Sequence, residues 1–478
     1  MSNFYGRERE LALLDGLLTQ VREGGRIGRP GQAVLIRGRR RVGKSRLVEE
    51  FVERPGVPWL FFTAANRTDT AAELGLFAEA VRESNLPGRS VFDAVTPHSW
   101  DAALRLLLAA LPADGPAVIV LDELPYLVAA DPDFEATLQK VFDREFSRRP
   151  VLLLLIGSDL AIMEALNRYD RPFHQRGTEL VVPPLSPADV ATMTGLPAAE
   201  AFDAYLITGG LPLVLNQWPH GASMPDYLAT AIRDPLSALS VSAERALAAE
   251  FPADALASRV LAAIGSGERT FSGIRQAAGD LQPASLNRAL DLLATKRIVE
   301  AIRPLSVKPS RETRYLIAEP HLRFWLAFLA SHLPEIERGR GDLVLARIQK
   351  SWTTWRGRAI EPVVREALRR LDTDAIGEGT GAIGGYWTRT NDPEIDLVGA
   401  DQAPVGKRIT LVGSVKWLEH KRFDQHDLAR LIVHRDQLPG ADATTPLLVV
   451  SRAGATEQVT AGGVRVLEPE ELLAAWPS

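Results

Sequence analysis

Eight residues constrain this chain more than any others: Gly38, Arg39, Arg40, Arg41, Val42, Gly43, Lys44 and Ser45, in that order. A glycine, four residues and then Gly-Lys-Ser is the spacing of a phosphate-binding loop. The context fits. Residues 33–37 (AVLIR) precede the loop as a short apolar run, and residues 44–53 follow with Leu47, Val48 and Phe51 on one helical face. Glycines let backbone N–H groups curl around phosphate oxygens, and the start of a helix adds partial positive charge. The loop, with Arg46 just beyond it, is therefore expected to hold a nucleoside triphosphate. Lys44 would bridge the β- and γ-phosphates and the Ser45 hydroxyl would bind Mg²⁺.

A second motif completes the first. Residues 118–121 (VIVL) form an apolar run that ends in Asp122 and Glu123. Beside a phosphate loop, Asp122 is expected to hold the Mg²⁺ through water and Glu123 to polarise the attacking water. The next apolar run, 151–156, ends at Gly157-Ser158-Asp159. Ser158 reads either as a sensor between γ-phosphate and water or as a plain N-cap serine. Arg176, within PFHQRGTEL, reads either as a surface arginine or as a source of positive charge for the transition state, in its own subunit or a neighbour's. A well-placed arginine of this kind is worth about 10³–10⁵ in rate.

The apolar runs at 33–37, 59–63, 117–121 and 151–156 are continuous rather than alternating. Strands of that type are buried on both faces, which predicts a parallel sheet between helices. With 478 residues and a prior of about 150 per domain, roughly three domains are expected. Five segments are predicted: an ATPase-type core over 1–185, a helical lid over 186–250, a winged helix over 251–320, a helical connector over 321–350 and a further α/β domain over 351–478. There is no cysteine, so disulfides and thiolate metal sites are excluded. The eight histidines show no metal-ligand spacing. No apolar run approaches the roughly 20 residues of a membrane span, and the first ten residues are polar. A cytoplasmic protein without membrane contact is expected. The net charge of −5 is unevenly spread: residues 255–340 hold 13 Lys and Arg against 8 Asp and Glu.

That basic stretch carries the winged-helix outline: two short helices, a longer one near 284–296, and strands flanking a Pro/Lys/Arg loop. Asn287 and Arg288 lie near the start of the third helix, where side chains meet base edges in a major groove. The wing offers Arg303, Lys308, Arg311 and Arg314 against Glu312, a surface suited to phosphates of duplex DNA. A protein-contact role for the same module stays open. The aromatic residues Phe324, Trp325, Phe328, Trp352 and Trp355 recur at helical spacing, which favours packing over base stacking.

In the last segment Glu361 sits on a predicted helix, Asp396 in EIDLVG and Lys416 in GSVKW. A helix glutamate, a strand acid and a strand acid-x-Lys form the PD-(D/E)xK nuclease layout, in which carboxylates hold Mg²⁺ and lysine orients water. Ser414 stands where the second strand acid is expected, and serine is a poor ligand for a hard cation. Glu419, three residues beyond the lysine, is the candidate replacement, off the face of the strand. A degenerate, non-cleaving module is expected.

The segments FYGRERELALL, GRRRVGKS, VIVLDELPYL, LIGSDLAIM and GGLPLVL together resemble the archaeal-type P-loop ATPases of the AAA-like and STAND group. SRETRYLIAEPHLRFWLAFL and WRGRAIEPVVREAL are similar to one branch, in which a winged helix and a restriction-endonuclease-like domain follow the ATPase. The resemblance covers essentially the whole chain. It implies ATP as the nucleotide, with Phe4, Gly6 and Arg7 near the base and Pro212 on the adenine. The expected fold class is an α/β P-loop core with a helical lid, a winged helix and a C-terminal α/β nuclease-like domain. The expected function is a Mg²⁺-dependent ATP switch that couples nucleotide state to those modules. A DNA-binding regulator using ATP as a conformational ligand and an ATP-gated nuclease are the alternatives. ATP is the expected ligand, with duplex DNA, a protein partner and self-association all open.

Overall fold

The computed structural model describes residues 4–24, 29–54, 56–66, 69–250 and 255–476. The chain divides into two compact units, 1–184 and 185–478.

In the first unit five parallel strands form one sheet: β1 (Gln32–Arg37), β2 (Trp59–Thr63), β3 (Ala117–Asp122), β4 (Val151–Gly157) and β5 (Gly177–Val181). Their spatial order is β2-β3-β4-β1-β5. Every residue of β3 and β4 is buried, as the unbroken apolar runs predict. One face of the sheet packs on an aromatic cluster in which Trp100 meets Phe77 and Phe134 edge-on at 5.4 and 5.0 Å. Because β4 lies between β1 and β3, the carboxyl ends of all three strands emerge side by side. Ligands bind at such strand ends in open α/β sheets.

The second unit begins with helices of the predicted lid, among them Pro187–Thr194 and Ala198–Thr208. Ser186 caps the first through a reciprocal capping box with Asp189. Three helices follow (Ala255–Gly265, Phe271–Ala277 and Pro283–Thr295), then the antiparallel hairpin β6 (Val299–Ile302) and β7 (Arg314–Ile317). These elements fall within the segment expected to form a winged helix. The last fold is a mixed sheet of β8 (Ala382–Trp387), β9 (Glu394–Ala400), β10 (Ile409–Lys416), β11 (Leu447–Ser451) and β12 (Arg465–Leu467), ordered β12-β11-β10-β9-β8. β8, β9 and β10 run antiparallel, whereas β11 and β12 continue parallel to β10.

Two expected boundaries differ from the structure. The division at 350/351 falls inside one continuous helix, Gly341–Ala359, because Ile348, Trp352, Arg356 and Ala359 keep a single buried stripe across it. The lid also packs beyond its expected boundary at residue 250. Phe202 and Leu206 pack in one cluster with Ile360, Val364, Trp417 and Trp476. Phe324, Trp325, Phe328 and Trp352 are buried, in line with the packing reading, and Trp355 is half-buried.

A buried ion network fastens the lid to the mixed-sheet fold. Arg356, fully buried, donates to Asp203 at 2.9 Å, to Glu419 at 2.7 Å and to the carbonyl of Trp417 at 3.3 Å. Arg452 donates to the same Asp203 oxygen at 2.7 Å. Burial pushes the Asp203 carboxyl upward, and the two guanidiniums oppose that shift. Removing one partner of such a group strands the others without solvent. Asp203→Ala is therefore expected to lower stability by about 3–5 kcal/mol. Glu419→Ala, whose side chain is 46% exposed, should cost no more than about 1 kcal/mol. Urea titration followed by tryptophan fluorescence checks both, and equal losses would contradict the ranking.

Candidate nucleotide site and downstream clefts

The phosphate loop connects β1 to the helix Lys44–Glu53. Two of its glycines are required for different reasons. Gly43 has φ 89°, the left-handed region that side chains avoid. A Cβ on Gly38 would collide with the carbonyl oxygen of Val182. Arg41 also adopts a left-handed conformation, φ 68°. Lys44 is buried, and its ammonium donates to the carbonyls of Gly38 at 2.8 Å and Arg39 at 3.0 Å. Burial lowers its pKa to about 8, against the pull of Glu123 and Asp122.

Ser45 Oγ donates to Asp122 Oδ2 at 2.8 Å, which ties the helix start to the end of β3. Asp122 is buried and its carboxyl is pushed upward, while the Ser45 hydroxyl and the Glu123 amide (2.9 Å) oppose the shift. A hydroxyl and a carboxylate at this separation are hard oxygen donors that suit Mg²⁺. Glu123 has left-handed backbone, φ 54°, and caps the helix Leu124–Ala130. Its carboxylate accepts from Ser158 Oγ at 3.1 and 2.9 Å. Ser158 is buried just past the end of β4, and it is Asp159, not Ser158, that caps the next helix. Arg40 reaches the Tyr126 hydroxyl at 3.0 Å. Arg46 is exposed and pairs with Glu49 and Glu50 on its own helix.

Other expected residues lie where their contacts give them different work. Arg7 is buried with φ 72° and donates to the carbonyls of Val42 (2.9 Å) and Pro183 (2.6 Å), bracing the loop from behind. Gly6 is left-handed (φ 66°), and Phe4 is half-buried. Arg176 is held by Asp143 at 2.9 Å and by the carbonyls of Pro172 and His174, so its guanidinium is committed within its own unit. Pro212 opens a short helix, Pro212–Leu215, in the second unit.

In the segment expected to form a winged helix, Asn287, Arg288, Arg303, Lys308 and Arg311 are exposed. Arg314 is not. It is buried, donates to Glu394 and Asn391 at 2.6 Å each, and lies 4.5 Å from the Trp387 ring centre. Its place at the start of β7 turns it toward the mixed sheet, so the expected phosphate contact at Arg314 is corrected.

The nuclease-like quartet divides between two cavities. Asp396, Ser414 and Lys416 line one of about 260 Å³, whereas Glu361 lines another of about 780 Å³. Asp396 Oδ2 accepts from Ser414 Oγ (3.0 Å) and the Val415 amide (2.9 Å), and burial pushes its carboxyl upward. Lys416 is paired with Asp427. Arg365 donates to Glu361 at 2.9 Å and to the Asp396 carbonyl at 2.9 Å, lying between the two acids. Burial raises Glu361 to about 7, with Arg365 opposing. Glu419 does not replace the missing acid, because Arg356 holds it. Among the described residues no group of three acidic or histidine side chains is arranged to hold a metal ion. Arg365 escaped the sequence reading, although its position four residues after Glu361 on one helix was a usable signal.

The pKa of Lys44 has a measurable consequence. Triphosphate oxygens favour the charged ammonium, so ATP binding should take up part of a proton at about pH 8.5 and almost none at about pH 6.5. Affinity should fall as pH rises through about 8. Calorimetry in two buffers of different ionisation enthalpy reads the uptake, and equal heats at about pH 8.5 would contradict it.

Residues 3–156 match a family model described as an AAA ATPase domain, and residues 325–428 match one described as archaea bacterial proteins of unknown function. An uncharacterized protein of Methanocaldococcus jannaschii is 25% identical over 420 residues, covering 86% of this chain and 88% of that one. Among solved structures, a Walker-type ATPase of Pyrococcus abyssi aligns with a TM-score of 0.48 at 19% identity, covering 68% of this chain and 96% of its own. The ORC2 protein of Aeropyrum pernix aligns with a TM-score of 0.44 at 16% identity, covering 73% and 96%. No helix among the described residues is long and apolar enough to cross a membrane. The loop geometry, the paired acids at the end of β3 and the match over 3–156 agree: the first unit carries a P-loop ATPase domain.

Proposed function

We propose that this chain is an ATP-hydrolysing switch that passes nucleotide state to a DNA-contacting winged helix and a non-cleaving, nuclease-like fold. The observation that carries the reading is the set of contacts at the strand ends, where Ser45 meets Asp122 and Ser158 meets Glu123. Lys44 binds the β- and γ-phosphates. Ser45 and Asp122 hold Mg²⁺, which when bound supplies positive charge to the phosphates. Glu123 takes the proton of the attacking water, and the Ser158 hydroxyl fixes the orientation of its carboxylate. Arg176 belongs to this reading only if the Asp143 pair opens. ATP is favoured over other nucleotides by the AAA-type match, with Phe4, Gly6 and Pro212 assigned to the base on resemblance.

Transmission rests on the second unit's internal construction. Because Asp203 bonds to Arg356 and Arg452, a displacement of the lid helices carries the mixed-sheet fold with it. Asn287, Arg288, Arg303, Lys308 and Arg311 give the winged helix an exposed basic surface for duplex DNA. The absence of a carboxylate at Ser414, and the pairing of Lys416 with Asp427, favour a module without cleavage.

Glu123→Gln should keep ATP affinity and lose about 10²–10⁴ of kcat, trapping ATP on the protein, whereas Lys44→Ala should lose binding itself. Turnover at wild-type level in both variants would remove the proposal. Duplex binding should weaken steeply with salt, and Arg311→Ala should lower the salt slope by about one while Arg314→Lys leaves it unchanged. A fluorescence-anisotropy titration at several salt concentrations measures this, and an unchanged slope for Arg311→Ala would exclude the wing. Plasmid incubated with Mg²⁺ or Mn²⁺ is expected to stay intact.

A further inference from the structure

The larger cavity of the second unit, about 780 Å³, lies among the winged-helix hairpin, the helix Gly341–Ala359 and the start of the Glu361 helix. Its wall holds seven Arg or Lys side chains and one carboxylate, Glu361. Three of the cations make no close ion pair among the described residues, although Glu394 lies near Arg358 and both Glu300 and Glu361 lie near Arg323. Lys350 and Arg358 are exposed on one face of the long helix, eight residues apart. Arg323 spends its donors on the carbonyls of Ile317 (2.7 Å) and Ala359 (3.0 Å), and burial lowers its pKa to about 10. Opposite them, Arg269 sits 3.7 Å from Glu394, an acid it shares with Arg314. Arg269 is further destabilised as a cation by its burial and by its neighbours Arg314 and Arg358. Glu361 does not neutralise the cluster, since Arg365 already holds it at 2.9 Å.

Like charges gathered in a cleft repel one another and weaken the fold unless an anion joins them. The same wall carries a flat apolar element. Trp355 is half-buried, stacked on Trp352 at 5.4 Å and braced edge-on by Phe328 at 5.3 Å. A cleft that sets cations beside an indole fits a ligand with phosphates and a planar base. Its volume lies in the range of small-ligand sites and is far too small to enclose a duplex.

We propose that this cleft is a second nucleotide-binding site, separate from the phosphate loop, that takes a free nucleotide or the first nucleotides of a single strand. Phosphates lie against Arg358 and Lys350, and the base lies along Trp355. This site is independent of the ATPase reading, because none of its residues belongs to the first unit.

The full chain carrying Lys44→Ala, which silences the phosphate loop, is titrated with fluorescently labelled 5′-phosphorylated thymidine trinucleotide, with thymidine monophosphate and with a short blunt duplex. Saturable binding of the trinucleotide at one site per chain is expected, weakened at least about tenfold by Arg358→Glu and by Lys350→Glu. Arg358→Lys should retain most of it, and Trp355→Leu should lose more than Trp355→Phe. Affinity that rises from monophosphate to trinucleotide identifies a strand, and equal affinity identifies a free nucleotide; either supports the site. No saturable binding, binding untouched by Arg358→Glu, equal weakening by Arg311→Glu on the exposed wing, or duplex binding that Arg358→Glu weakens as much as single-strand binding would each overturn it. Arg358 and Lys350 are exposed, so their variants are expected to fold, and an unchanged thermal transition verifies that.

Discussion

The position of β4 between β1 and β3 is the constraint on which the ATPase domain depends. Parallel pairing places the ends of all three strands on one rim, and each end brings one part of the chemistry. β1 delivers the phosphate loop, β3 the two acids and β4 the serine that orients one of them. Because β4 pairs directly with β3, Ser158 past its end meets Glu123, and Ser45 after β1 meets Asp122 on the same rim. The unbroken burial of β3 and β4 makes this arrangement stiff, so the polar side chains at the rim are held by a core that cannot adjust to them.

The second unit depends on a different kind of interaction. A single buried carboxylate, Asp203, takes two guanidiniums from the far end of the chain. Buried ion pairs contribute less to stability than to the choice of one arrangement over others. Here that arrangement joins a helix near residue 200 to strands beyond residue 410, and it makes one cooperative body of segments that resemble separate modules. The same network removes Glu419 from any role at the nuclease-like site.

At the positions expected of a nuclease-like site, the charged side chains are met by partners within the fold. The meander β8-β9-β10 and the parallel β11 persist, and Asp396 remains buried at the centre. Ser414 donates to the Asp396 carboxylate, Asp427 pairs with Lys416, and Arg365 donates to the Glu361 carboxylate and to the Asp396 carbonyl. Glu361 instead faces the basic cleft, where positive charge has accumulated with few acids to meet it.

Local pattern was enough for the phosphate loop, the acids at the end of β3 and the parallel sheet. Each is a contiguous run whose physical requirement, a left-handed glycine or a strand buried on both faces, is written in neighbouring residues. Two strands of the last fold, Glu394–Ala400 and Ile409–Lys416, were legible for the same reason. Charge count alone suggested Arg314 as a surface residue, but its exposure depended on Trp387 and Glu394, some eighty residues away. Nor could the sequence place Arg176 against Asp143, Arg365 between two acids, or the cleft cations around a common space. The sequence by itself determined which backbone motifs form and which residues begin the chemistry of phosphate binding. Only the tertiary structure decided which charges are neutralised and which are left facing a cavity, because that depends on distances between segments that no local spacing encodes.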